Sequence, residues 1–204
     1  MWCTDCLYAT IKNTPVIVTG KNRQGADRMQ IATNEQGQRI VILPDVIFTN
    51  KQNINWDDVE EYLEQYVGTL VEITDTNDIV YIGKEFPDEY AGSKYTRTLK
   101  GVRAKAKANA AQGIKEMVVI ATEKRFKENY KAKHKSDAAK GWYYFTTRFA
   151  MPIFENENKS ENYNIFTACL VVNHASNGKM YLYDIVDIKK EASNPLKTDE
   201  SQVV

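Results

Sequence analysis

The tetrapeptide Ala175-Ser176-Asn177-Gly178 constrains this chain more than any other short segment. Asn-Gly tolerates the positive φ angles of a tight hairpin, and β-forming stretches lie on both sides, at residues 163–173 and 179–189. A third such stretch, residues 142–154, precedes them across a polar step at 155–162. Three long strands joined by turns predict an antiparallel meander. Alternation puts Tyr143, Phe145, Thr147 and Phe149 on one face, and Trp142, Tyr144, Thr146 and Arg148 on the other. On the last strand Tyr181, Tyr183 and Ile185 alternate with Leu182, Asp184 and Val186.

Upstream, the Ala/Lys-rich residues 95–112 predict one helix ended by Gly113. Residues 114–124 predict a second, with Ile114, Met117, Val118 and Ala121 facing a core; residues 117–121 also suit a short strand, and the flanking helix formers favour the helix. Residues 86–92 show no period and read as a bridge, and residues 126–141 as a polar, lysine-rich loop. The first 85 residues predict strands at 15–20, 29–33, 38–43, 70–74 and 79–83. Between them Asn55 caps a helix over 56–66 that carries Asp57, Asp58 and Glu60 in its first turns. The expected fold is α+β: helices followed by a three- to four-stranded antiparallel meander, preceded by a smaller β-rich region with one acidic helix. The expected division is 1–85, 86–196 and a flexible tail at 197–204.

No stretch of the 204 residues approaches 18 apolar positions, and residues 1–11 lack the pattern of a signal peptide, so a soluble, cytoplasmic chain is expected. Three cysteines argue against a disulfide scaffold. Cys3 and Cys6 form a lone CxxC that reads as reduced thiols, with half a zinc site or a redox pair as the alternatives. Cys169 reads as a small buried hydrophobe. P-loop, dinucleotide-binding, HExxH and GxSxG motifs are absent. Two isolated histidines and scattered acids predict no metal site and no cofactor.

The zero formal charge hides a segregation. Residues 93–140 carry fourteen Lys and Arg against four Asp and Glu, a net of +10, whereas residues 1–92 carry −8 and residues 141–204 carry −2. Either the acidic part packs beside the basic one, or the basic segment holds a polyanion, most simply RNA or DNA. On a single helix Arg97, Lys100, Arg103 and Lys107 would form a cationic stripe roughly 15 Å long.

His134 lies among Lys131, Lys133, Lys135 and Lys140, where neighbouring cations favour the neutral base form; an idle loop histidine is the alternative. Arg148 within a strand needs a partner, either an ion pair with Asp184 or a bound phosphate. Trp142, Tyr143, Tyr144, Tyr181 and Tyr183 suit base stacking or core packing. His174, beside the hairpin turn, reads as structural. A base such as His134, a cation such as Arg148 with a lysine, and a tyrosine such as Tyr183 are the inventory of metal-free ribonuclease chemistry.

The segments FPDEYAGSKYT (86–96), KAKANAAQGIKEMVVIATEKRF (105–126), KHKSDAAKGWYYFTTRFAMPIF (133–154) and GKMYLYDIVDIKKEASNPL (178–196) resemble a family of domains found in large polyvalent proteins of phages and conjugative elements. Its neighbours are described as barnase/EndoU/RelE-like nucleases. The resemblance implies marked positions at His134, Trp142, Arg148, Tyr183, Asp184 and Lys189. It adds Lys189 to the catalytic candidates His134, Arg148 and Tyr183, beside nucleic-acid contacts from Arg97, Lys100, Arg103, Lys107, Lys133, Lys135 and Trp142. The expectation is an RNA-directed, metal-independent nuclease-like protein of a mobile element. The alternative is a non-catalytic counter-defence inhibitor, of the anti-CRISPR kind, that binds a host nucleoprotein complex through a nucleic-acid-mimicking acidic surface.

Overall fold

Each strand of the C-terminal third has apolar side chains on one face and mixed side chains on the other, and in the computed structural model these strands form the centre of an eight-stranded sheet. The structure describes residues 10–11, 14–15, 29–34, 36–49, 53–129, 139–155 and 158–191. Two short strands, β1 (Thr10–Ile11) and β2 (Thr14–Pro15), pair with each other. The large sheet holds β3 (Gln30–Thr33), β4 (Arg39–Ile42), β5 (Leu70–Ile73), β6 (Asp78–Tyr81), β7 (Thr122–Lys127), β8 (Trp142–Glu155), β9 (Asn158–His174) and β10 (Met180–Lys190). Its order is β3-β4-β8-β9-β10-β6-β5, with β7 also paired to β8.

The fold is therefore mixed α+β, with an arrangement different from the one expected. The strands of residues 30–81 do not stand apart: β4 runs parallel to β8, and β6 runs parallel to β10. Hydrogen bonds thus cross the expected boundary at residue 85 on both flanks of β8–β10. Between β6 and β7 the chain forms α2 (Phe86–Gly92), α3 (Lys94–Thr98), α4 (Gly101–Ala110) and α5 (Ile114–Val119), and α1 (Trp56–Leu63) lies between β4 and β5. The bridge expected at 86–92 is helix α2, begun by Pro87 in its first turn. The single helix expected over 95–112 is broken at Leu99 and Lys100, both extended, before Gly101 at φ +56°. The loop expected from 126 overlaps strand β7, which begins at Thr122; its nearly all-exposed side chains carry no apolar alternation.

The core lies between sheet and helices. Phe145, Phe149, Phe166, Leu170 and Val172 meet Ala106, Ala110, Ile114, Met117 and Val118, all at 0% exposure. Phe149 and Phe166 stack at 5.2 Å. Small side chains let α4 sink into the sheet, and at Gly113 a Cβ would come within 3.0 Å of Val41 and 3.1 Å of Leu43. Loop 44–49 is tied to this layer by polar groups. The Asn109 side chain accepts from the Phe48 N–H (3.1 Å) and donates to the Phe48 carbonyl (3.0 Å), and the Gln112 amide donates to the Asp45 carbonyl at 3.0 Å.

Lys107 is the exception to this apolar packing. It is fully buried, and its ammonium donates to Asp184 Oδ1 at 2.5 Å and to Thr96 Oγ1 at 2.6 Å. The rings of Tyr90 and Tyr95 lie 4.5 and 5.1 Å from the ammonium. Burial pushes the Lys107 ammonium down and the Asp184 carboxyl up, and their mutual attraction opposes both shifts. Lys107 is accordingly not part of an exposed cationic stripe.

Removing one charge leaves the other buried and unpaired. Lys107→Met is therefore expected to cost about 3–5 kcal/mol in urea unfolding at neutral pH. In that variant the Asp184 carboxyl is raised in the folded state above its unfolded value. Folding then binds a proton, and stability returns as the pH falls towards the carboxylate range. Adding Asp184→Leu should recover most of the loss; a double variant no more stable than the single one would contradict the pairing.

Candidate functional site

The turn Ala175–Gly178 closes β9 onto β10 and sets the edge of an open cleft. Gly178 (φ +81°) donates from its N–H to the Ala175 carbonyl at 3.0 Å, and Asn177 Oδ1 accepts from the Lys179 N–H at 2.9 Å. Beside it, the His174 N–H donates to the Gly141 carbonyl (3.0 Å), and the Lys140 N–H donates to the His174 carbonyl (2.9 Å). Gly141, at φ +105°, is required there, because a Cβ would fall 2.7 Å from the Phe126 ring.

The cleft has a volume of about 370 Å³ and is lined by Asp78, Tyr81, Lys124, Tyr143, His174 and Lys179. The imidazole of His174, half-buried, lies 5.7 Å from the Tyr143 ring centroid. The Lys124 ammonium sits over the same tyrosine ring at 4.4 Å and pairs with Asp78 at 2.7 Å, while Thr76 Oγ1 donates to that carboxylate at 2.6 Å. The exposed Lys179 ammonium lies 4.6 Å from the Tyr81 ring centroid. Lys140 reaches the rim, with its ammonium 3.6 Å from the position a Cβ would take on Gly178. Among the described residues one imidazole, three ammonium groups, one carboxylate and two tyrosines therefore converge from β6, β7, β8, the turn before β8 and the β9–β10 hairpin. Such a set can move a proton at His174 and hold phosphate oxygens by charge.

The residues expected from sequence are distributed otherwise. Arg148 Nε donates to Glu191 Oε1 at 3.1 Å, and the Thr167 hydroxyl donates to the same carboxylate. The expected Arg148–Asp184 pair does not form, because Asp184 is taken by Lys107. Lys189 is exposed, in register with Thr167, which is opposite Arg148. Tyr183 meets Trp142 edge-on at 5.0 Å. Trp142 is six residues along β8 from Arg148, on the order of 20 Å. The two pairs, Trp142 with Tyr183 and Arg148 with Lys189, are thus separate. Arg97, Lys100 and Arg103 are exposed around the α3–α4 break. His134, Lys131, Lys133 and Lys135 lie outside the described residues, as do Cys3 and Cys6.

Cys169 is buried and free, its thiol pushed up by burial against the opposing pull of Arg125 at 3.8 Å. Among the described residues no three His, Cys, Asp or Glu side chains cluster as ion ligands. No helix among them is long and apolar enough to cross a membrane.

Comparison with protein-family models, with curated proteins and with solved structures yields no match.

The ion pair with Asp78 restrains Lys124. Asp78→Asn is expected to free that ammonium for phosphate and tighten binding of a fluorescent single-stranded oligonucleotide. The plot of log affinity against log salt should steepen by up to about 0.7 per added contact. An unchanged slope in an anisotropy titration would show that Lys124 makes no phosphate contact.

Proposed function

We propose that this chain is an RNA-directed, nuclease-like protein that works at the His174 cleft by metal-independent transfer at phosphorus. The observation that carries the proposal is the convergence of His174, Lys124, Lys140, Lys179 and Tyr143 on one open surface. His174 takes the proton of a ribose 2′-hydroxyl, and the freed oxygen bonds to the adjacent phosphorus. The bond from phosphorus to the 5′-oxygen breaks, and that oxygen takes a proton from the imidazolium or from Tyr143. The products are a 2′,3′-cyclic phosphate and a 5′-hydroxyl. The lysines hold the charge that builds on the phosphate oxygens. The setting in a phage or other mobile element, in conflict with its host, rests on the resemblance of residues 86–196.

A second reading, binding to a host nucleoprotein without turnover, is favoured by the acidic surface of α1 and α2. Glu60 is raised by partial burial and then by the neighbouring charges of Asp88, Asp57 and Glu64. These carboxylates give the α1–α2 surface a concentrated negative charge, of the kind that a nucleic-acid-binding partner attracts.

The readings separate in one assay. Purified protein with mixed-sequence RNA in EDTA is expected to yield cyclic-phosphate ends, and DNA is expected to stay intact. His174→Ala should reduce cleavage by at least about 10²-fold, the usual share of a general base, with an unchanged circular dichroism spectrum. Absence of cleavage across varied RNAs, or full activity in His174→Ala, would sink the catalytic reading and leave the binding one.

A further inference from the structure

A second cavity, of about 380 Å³, lies beside the first, where α2 begins and the end of β9 meets β10. Its size falls within the range of small-ligand sites, roughly 300–1,000 Å³. Asn173 lines it at 7% exposure, and the Oδ1 atom of this side chain is buried with no hydrogen-bond partner among the described residues. Buried polar atoms are nearly always paired, so an orphan acceptor on a residue that lines a cavity calls for a donor from beyond the described residues.

The rest of the wall narrows the donor. Among the described residues, Phe86, Tyr181 and Tyr183 contribute aromatic surface, Glu85 and Glu89 contribute carboxylates, and Lys84 contributes the one cation. Tyr181 is held in place. Its hydroxyl accepts from Asn177 Nδ2 at 3.3 Å, its ring lies 5.5 Å from that of Tyr81, and a Cβ on Gly83 would stand 3.3 Å from it. Two carboxylates against one ammonium disfavour an anion such as phosphate. Acceptors together with aromatic faces suit a flat cation carrying several N–H donors.

We propose that this cavity binds a guanidinium group. One N–H meets Asn173 Oδ1, the carboxylates of Glu85 and Glu89 share the charge, and the plane lies against a tyrosine ring. The group belongs either to a free arginine-like metabolite or to an arginine side chain of a partner protein. This inference goes beyond RNA cleavage at His174 and does not rest on it.

Calorimetric titration of the full chain with L-arginine, with agmatine and with a Gly-Arg-Gly amide tests both sources. Citrulline, whose ureido group has nearly the same shape without the charge, serves as the control, as do guanosine and cytidine. Binding of the arginine probes, with citrulline roughly tenfold or more weaker, is expected. Tight binding of the peptide alone assigns a protein partner, and equal or tighter binding of the free compounds assigns a metabolite. Asn173→Leu should weaken binding roughly tenfold or more, and Glu89→Gln roughly two- to fivefold. If Asn173→Leu fails to fold, Glu89→Gln and the citrulline comparison carry the decision. Binding of citrulline as well as arginine, binding of a nucleoside instead, or an ordered water as the sole occupant at Oδ1 would overturn the proposal.

Discussion

An ammonium group with no access to water must be met by a carboxylate, and in this protein that requirement joins the helical layer to the sheet. Lys107 projects from an alanine-rich helix whose small side chains allow close approach, and Asp184 meets it from β10. The pairing of β10 with β9 slips by one residue between Leu182 and Asp184. A slip of this kind re-aims the side chains around it: Asp184 points to Lys107, while the adjacent Tyr183 packs on Trp142. The same strand begins with Met180 and Tyr181, which wall the two cavities on either side of the hairpin. The internal ion pair therefore sets the strand that both sites share.

Charge is divided along similar lines. Part of the cationic excess of residues 93–140 is neutralised by carboxylates, inside the fold at Lys107 and on the surface in the Lys124–Asp78 pair. Arg148, from the following segment, is likewise matched by Glu191. Among the described residues of 93–140, Lys94, Arg97, Lys100, Arg103, Lys124, Arg125, Lys127 and Lys140 face solvent, and Lys124 and Lys140 join Lys179 around His174. Among the described residues it is the set around His174 that surrounds an imidazole.

Strong local signals made part of the fold legible in the sequence. The alternation from Trp142 and the Asn177-Gly178 turn located β8 and β10 to within one residue and β9 from Tyr163 on, although β9 begins at Asn158, inside the expected polar step. Asn55 with the period of Trp56, Val59 and Leu63 located α1. Helix α2 was hidden because seven residues are too few to show a period. Strand β7 was hidden because its side chains face solvent and carry no alternation. Lys107 was misjudged because a cationic period on an alanine-rich segment looks the same whether the segment lies on the surface or sinks into the sheet. The His174 cleft had no sequence signature, since Asp78, Lys124, Tyr143 and Lys179 reach it only through the β6–β10 and β7–β8 pairings.

The central claim is that the surface around His174 is where this protein meets RNA. Its most direct test is an amide and imidazole chemical-shift map of the ¹⁵N-labelled protein titrated with a short 2′-O-methyl RNA, which binds without being cut. The account predicts that the largest shifts fall on Tyr81, Lys124, Tyr143, His174 and Lys179. Shifts confined to Arg97, Lys100 and Arg103, with His174 unmoved at saturation, would contradict it.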